Sequence, residues 1–290
     1  MRQLTPAQKA RHVRRKAVDL FMGGLCTFAA GIGIVLLGLI LWMVLSKGVS
    51  GVSFDVFTKT MSSPGTGGGL ANAIVGSLMQ VGIGSLIGAP LGMAVGIYLS
   101  EVGKKGRFAS GVRFVNDILL SAPSVLIGLF FYQVAVAPFH SYSGLAGALA
   151  LALIAMPIVA RTTEDILGLV PDAYRDGAIA LGSRENQVIL KVVVPAAFGG
   201  ILTGVLLAVA RIAGETAPLI FTSLGNANWS TDLSKPMASL PIAIYRYAGS
   251  PYPDWVALAW TGALIITVGV LLLNILSRLS HALIAGRYSK

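Results

Sequence analysis

Long apolar runs alternate with short polar breaks along this chain, and the runs exceed what a buried core helix needs. They fall at about residues 18–45, 72–99, 114–138, 144–160, 197–222 and 255–276. A helix of about 20 apolar residues crosses the hydrocarbon of a bilayer. Lipid cannot satisfy backbone polar groups, so only helices and closed barrels cross it. The pattern predicts an all-α polytopic membrane protein with six transmembrane helices. The first run is too long for the core of a signal peptide and reads as an uncleaved span. The organisation expected is a basic segment at 1–17, a first transmembrane helix at 18–46, and a transmembrane domain at 71–283 interrupted by one substantial polar loop, 162–195.

The breaks predict sidedness. Arg2, Lys9, Arg11, Arg14, Arg15 and Lys16 precede the first run with no acid among them, and Lys104, Lys105, Arg107 and Arg113 fill a later break. Arg278, Arg287 and Lys290 close the chain. Lys and Arg are retained on the cytoplasmic side of short loops, so both termini are expected in the cytoplasm. Residues 47–70, 139–143 and 223–254 are then external. The mixed charge of 162–195 leaves its cytoplasmic placement to parity.

Composition narrows the chemistry. The chain is 55% hydrophobic and 12% charged, about half the charged share of a soluble domain. Its net charge of +10 sits mostly at the ends of spans, where it sets orientation, so nucleic acid is not an expected partner and membrane lipid is. Cys26 is the only cysteine and the three histidines are scattered, which rules out an intrachain disulfide and argues against a metal site. The glycine-rich stretch Pro64–Gly69 lacks the GxxxxGK[ST] pattern of a phosphate-binding P-loop, as does the rest of the sequence. This chain is therefore expected to hold no cofactor and not to hydrolyse ATP by a P-loop of its own.

Three polar features remain inside or between the spans. Gly84, Gly88, Gly92 and Gly96 recur every fourth residue, a spacing that lines one helical face and admits a neighbouring helix at close range. In the third run, Asp117, Ser121, Pro123 and Ser124 are candidates to line a pathway, or else belong to a kinked packing helix, since polar groups near a proline in a span face protein or water. In the fifth run, Arg211 and Glu215 stand four residues apart, one turn apart on one face. Each costs about 2.5–3.5 kcal/mol at mid-membrane. They are a mutually neutralising pair that locks helices, or an anion site in which the guanidinium offers a bidentate fork. Thr216 and Pro218 follow and are expected to loosen the helix just beyond.

The loop 162–195 contains Asp176-Gly177-Ala178, three residues, Gly182, nine residues, and Val192-x-Val194-Pro195. Local chemistry predicts a helix over 173–181, a turn at Gly182 and a second helix over 185–193 stopped by Pro195. Ala178, Leu181, Val188, Ile189 and Val192 are expected on an apolar side, and Arg175, Asp176, Arg184, Glu185 and Lys191 on a wet one.

This spacing resembles the "EAA" loop of permease subunits of ABC importers, which reads Glu-Ala-Ala, three residues, Gly, nine residues and Ile-x-Leu-Pro. Here Asp, Gly and Val replace Glu, the first Ala, and Ile and Leu; Gly182 and Pro195 are kept. Arg211-x-x-Gly214-Glu215-Thr216-Ala217-Pro218 and Ser121-Ala122-Pro123-Ser124-Val125-x-x-Gly128 are similar to signatures of the A-type permease of phosphate-specific (Pst) ABC importers. The order and spacing match over nearly the whole chain.

The resemblance implies a type I ABC importer permease, at 71–283, in a bacterial inner membrane. Its partners would be a homologous C-type permease subunit, a cytoplasmic ATPase dimer that holds the ATP and Mg, and an extracytoplasmic phosphate-binding protein. Arg211, Glu215 and Thr216 would lie on the substrate path. Arg175, Asp176, Gly177, Ala178, Gly182, Arg184 and Pro195 would form the ATPase-coupling element, with Asp176 and Gly182 at the contact and Arg175 and Arg184 at its rim. The chain would be a non-catalytic subunit translocating inorganic phosphate by alternating access. The alternatives are a permease for another oxyanion such as sulfate or molybdate, an ion-coupled secondary transporter, and a membrane scaffold without transport.

Overall fold

The protein is described by a computed structural model covering residues 6–104 and 106–288, with side-chain surroundings for residue 12 and residues 14–104 and 106–276. Arg2, Lys105 and Lys290, three of the residues expected to orient the chain, lie outside the described residues. The helices are α1 (Pro6–Ser50), α2 (Phe54–Thr58), α3 (Ala71–Ile97), α4 (Arg107–Ser121), α5 (Ser124–Phe131), α6 (Gly144–Gly168), α7 (Asp172–Ala180), α8 (Glu185–Val188), α9 (Val194–Ala213), α10 (Ala217–Thr222), α11 (Leu240–Ala248) and α12 (Pro253–Tyr288). Among the described residues the sole β feature is an isolated bridge between Leu224 and Met237.

Among the described residues five helices are long and apolar enough to cross a membrane, and a sixth crossing results if the bent pair α4–α5 counts as one. That pair corrects the single, at most kinked, helix expected over 114–138, because α4 and α5 meet at 102°. The cause is local. Proline disfavours α-helical backbone at the residue before it, and Ala122, preceding Pro123, is extended at φ −66°, ψ 133°. The fourth span also outruns its expected end at Arg161, continuing two further turns to Gly168.

The seam between α3 and α6 is the centre of the bundle. Cβ atoms added at Gly88, Gly92 and Gly96 would lie 2.6, 2.5 and 2.6 Å from the carbonyl oxygens of Ala152, Met156 and Ala160. Those distances are too short for any side chain, so the every-fourth-residue glycines set how closely the two helices approach. Around the seam Ala89, Leu151, Ile154, Ala155, Val159, Ala208, Ile212 and Leu219 form the main core. A second cluster, with Val56, Leu70, Ala73, Leu240, Tyr247 and Ala259, ties α2 and α11 to the starts of α3 and α12.

α1 stands apart. The most apolar stretch of its span has no buried residue, and it touches the bundle near its C-terminal end. There, added Cβ atoms at Gly48 and Gly51 would run into Leu264 Cβ, at 2.7 Å, and into the Thr261 hydroxyl, and Lys47 lies 5.0 Å over the Trp260 ring.

Candidate functional site

The charged pair is set by how α9 ends. A helix continued past Ala213 would drive the Pro218 ring against the carbonyl four residues before it and leave that carbonyl without a donor. The chain instead opens over 214–216 and restarts as α10 with Pro218 in its first turn, where no N–H is needed. Arg211 and Glu215 flank this opening. Arg211 Nη1 lies 3.1 Å from Glu215 Oε1, yet among the described residues that oxygen has no aligned hydrogen-bond donor: the charges are in contact, but the N–H does not point at the oxygen. The exposures are lopsided, 63% for the arginine side chain and 8% for the glutamate. A buried acid thus sits behind an outward-facing guanidinium on a span with no other charged residue between Val194 and Ala213. Beside them Gly214 is exposed, with open space where a Cβ would be, and Thr216 is half-buried.

The other pathway candidates gather at the first break. Asp117, Ser121 and Pro123 are exposed and Ser124 is half-buried, while the Ser121 hydroxyl donates back to the Ile118 carbonyl at 3.0 Å. Beyond the Ser121-Ala122-Pro123 and Thr216-Ala217-Pro218 breaks, α5 and α10 pack on each other. A Cβ at Gly128 would lie 2.7 Å from Pro218 Cα. The two interrupted spans therefore meet through the helices that restart after each break.

The polar element at 172–195 forms at one end of the bundle. α7 ends at Ala180, and the chain reverses at Gly182, whose φ of +85° is left-handed and suits glycine because it lacks a Cβ. Ser183 N–H bonds back to the Ala178 carbonyl at 3.1 Å. Pro195 does not stop the second helix as expected. A π-turn over Ile189–Val193 lets Val194 N–H bond the Ile189 carbonyl, five residues back, and Pro195 sits in the first turn of α9. Such a turn absorbs the donor that proline lacks. Val188, Val193, Ala197 and Ile201 pack with Leu167 of α6, with Ala178 against their edge.

Asp176, Gly177, Gly182 and Arg184 are exposed, and Ala178 and Pro195 half-buried. Two residues exchange the sides assigned to them by helical periodicity. Leu181, expected on the apolar face, is 89% exposed, because α7 has already ended at Ala180 and the three-residue spacing from Ala178 no longer applies. Arg175, expected at the exposed rim, turns inward at 12% side-chain exposure and grips Glu101 with two N–H groups at 3.0 and 2.7 Å. Hydrogen bonding to that carboxylate holds the guanidinium above its ordinary pKa.

Sequence reasoning passed over Glu101 as a site residue, although it is a lone acid at the end of an apolar run, next to Lys104. It also passed over the pairing of Arg113 with Glu164, at 2.6 Å between Nε and Oε1. Fifty-one residues separate the partners, so no local pattern could join them.

Residues 88–290 match the family described as "Binding-protein-dependent transport system inner membrane component". The phosphate transport system permease protein PstA of Haemophilus influenzae is 51% identical over 272 residues, covering 94% of this chain and 96% of that protein. The PstA of Yersinia pestis is 53% identical over 244 residues, covering 84% and 83%. Among solved structures, a bacterial alginate ABC transporter bound to its alginate-loaded periplasmic protein aligns with a TM-score of 0.63 at 13% identity, covering 91% of this chain and 94% of that one. The inward-facing MetNI methionine ABC transporter aligns at 0.62 and 17% identity, covering 74% and 95%. At these identities the likeness establishes a shared fold.

Proposed function

We propose a mechanism from the premise that this chain belongs to the binding-protein-dependent transport system inner membrane component family: it is the permease subunit that carries inorganic phosphate through an ATP-driven importer. The observation that carries the cargo is its 51% identity, over 94% of its length, to a permease named for phosphate transport. The chain is a multi-pass membrane protein and a transport permease. In this reading it lies in a bacterial inner membrane with both termini and α7–α8 in the cytoplasm. It pairs with a homologous C-type permease subunit and rests on an ATPase dimer that binds ATP and Mg. It receives phosphate from an extracytoplasmic binding protein.

Arg211 is the anion contact in this mechanism. Its guanidinium projects from the chain beside a helix break, and a bidentate fork matches two phosphate oxygens. Buried Glu215 holds the arginine side chain when the path is empty and yields it to the anion, while Thr216 and the backbone opened at 214–216 supply further polar groups. Asp117, Ser121, Pro123 and Ser124 line the path where the second interrupted span meets the first. At the cytoplasmic end, Asp176, Gly177, Gly182 and Arg184 face the ATPase, and exposed Leu181 gives this contact an apolar anchor. Ala178 and Pro195 support it from behind.

The test is ATP-dependent uptake of radiolabelled phosphate into vesicles holding the whole complex, comparing wild type with Arg211→Gln after assembly is verified in both. Loss of uptake in the assembled variant is expected. Normal uptake would make the pair a helix lock and move the path elsewhere, and a wild type that takes up sulfate or molybdate but no phosphate would overturn the cargo.

A further inference from the structure

We infer that the Arg175–Glu101 pair is a transmission latch, which makes α7 move as one body with α3, α4 and α6 and so carries the ATPase stroke into the bundle. The inference rests on the reading of 172–195 as the ATPase-facing element and goes beyond it. That reading says where force arrives; the latch says which helices receive it and through which atoms.

Arg175 makes five hydrogen bonds, one for each N–H of a guanidinium. Nε and Nη2 grip the two oxygens of Glu101 at 3.0 and 2.7 Å. Nη2 also reaches the Leu167 carbonyl at 3.1 Å, while Nη1 bonds the Val170 carbonyl at 2.6 Å and Asp172 Oδ1 at 3.2 Å. Glu101 belongs to the π-turn that ends α3, its side chain is 5% exposed, and it accepts a further bond from Ser100 Oγ at 3.0 Å. Leu167 lies in the last turn of α6 and Val170 just beyond its end; the Leu167 carbonyl also accepts from Val170 N–H at 3.2 Å, and carbonyls at a helix end keep lone pairs open to a side-chain donor. One side chain on α7 thus clamps the ends of two spans.

A second guanidinium extends the clamp. Arg113, on α4, donates to Glu164 of α6 at 2.6 Å and to the Leu99 carbonyl at the end of α3 at 2.9 Å. α3, α4, α6 and α7 are therefore pinned to one another by directional, charge-assisted bonds. α9, which carries Arg211, meets α6 at this end with no ion pair among the described residues: Val188, Val193, Ala197 and Ile201 pack around Leu167, with Ala178 of α7 at their edge, and Gly200 and Gly204 lie against Ile166 and Thr162. Aliphatic contacts have no preferred direction and can slide; a forked ion pair cannot. A push on α7 consequently moves the α3–α4–α6 group relative to α9, which is the displacement needed to open or close a path lined by α9.

Removing one partner would strand a buried charge, so the test uses Arg175→Gln combined with Glu101→Gln. The variant complex is reconstituted with its ATPase and binding protein, and phosphate uptake is divided by ATP hydrolysed in the same vesicles. We expect at least a tenfold fall in phosphate moved per ATP, partly rescued when Arg175→Lys is paired with native Glu101. A ratio within twofold of wild type would overturn the latch, because a purely structural staple lowers the amount of complex and scales both rates together. Spin labels at Val102→Cys and Ala173→Cys, in a background where exposed Cys26 is replaced by serine, read the latch without reference to cargo. Their distance should be the same with and without ATP in the latched protein and shift or broaden in the double variant. A distance that changes with ATP while the latch is intact would overturn the inference even if wild type transported no phosphate, and that latter result would refute the cargo alone.

Discussion

Gly92→Ala measures how much of the fold depends on the α3–α6 seam. The added methyl would lie 2.5 Å from the Met156 carbonyl oxygen and 2.8 Å from Val159 Cβ. Carbon and a carbonyl oxygen rest about 3.3 Å apart, so the two helices must separate locally by about 0.8 Å. A gap of about 0.5–1 Å forfeits a quarter to a half of each dispersion contact across it, and overpacking of this kind costs about 1–3 kcal/mol. Alanine is the better helix former by up to about 1 kcal/mol. That gain drops out here, because α3 stays helical in lipid whether or not α6 is packed against it. The net expectation is a loss of about 1–3 kcal/mol. Gly82 lies on the same helix with nothing within 4 Å of its Cβ position, so Gly82→Ala should stay within about 0.5 kcal/mol of wild type. Gly88→Ala added to Gly92→Ala should cost less than it does alone, since the helices are already parted and neighbouring sites are not additive. The assay is reversible unfolding in mixed micelles against increasing SDS, followed by circular dichroism. Equal stabilities for Gly92→Ala and Gly82→Ala, or full additivity in the double variant, would refute the argument.

Charge reversal at exposed Asp176 (Asp176→Lys) should leave the amount of chain in the membrane unchanged while reducing co-purified ATPase at least tenfold; retained co-purification with normal uptake would remove Asp176 from the proposed ATPase contact. Gly182→Ala should lower stability by about 1–2 kcal/mol through left-handed backbone strain alone, because the space around it is open. Gly177→Ala, equally open but helical, should be neutral or stabilising in the same SDS unfolding experiment.

The apolar runs made the helices legible before any coordinates, because a span in lipid must satisfy its backbone internally and its length is fixed by the bilayer. The glycine face of α3 was equally legible, since a four-residue spacing has one geometric meaning on a helix. Proline was harder to read. Pro123 turned an expected kink into a 102° break, whereas Pro195, expected to end a helix, was absorbed by a π-turn. Whether a neighbouring turn can supply the missing bond depends on packing, and a single sequence does not encode that locally. Around the site, the spacing of Arg211 and Glu215 foretold their contact, but their unequal exposure depends on the helices behind Glu215. The inward turn of Arg175 depends on Glu101, 74 residues away, and helical periodicity alone assigns such a residue to water.

The lopsided pair at Arg211 and Glu215 also bears on how the protein is made. A newly inserted chain without its partners holds an arginine side chain that is 63% exposed on a membrane-crossing helix. Such a charge facing lipid costs about 2.5–3.5 kcal/mol, a burden that persists until another surface or water covers it. In the proposed transporter, the residue that carries this cost in the orphan subunit is the one assigned to the anion. In the proposed assembly, pairing with a second subunit would cover the guanidinium and remove that cost.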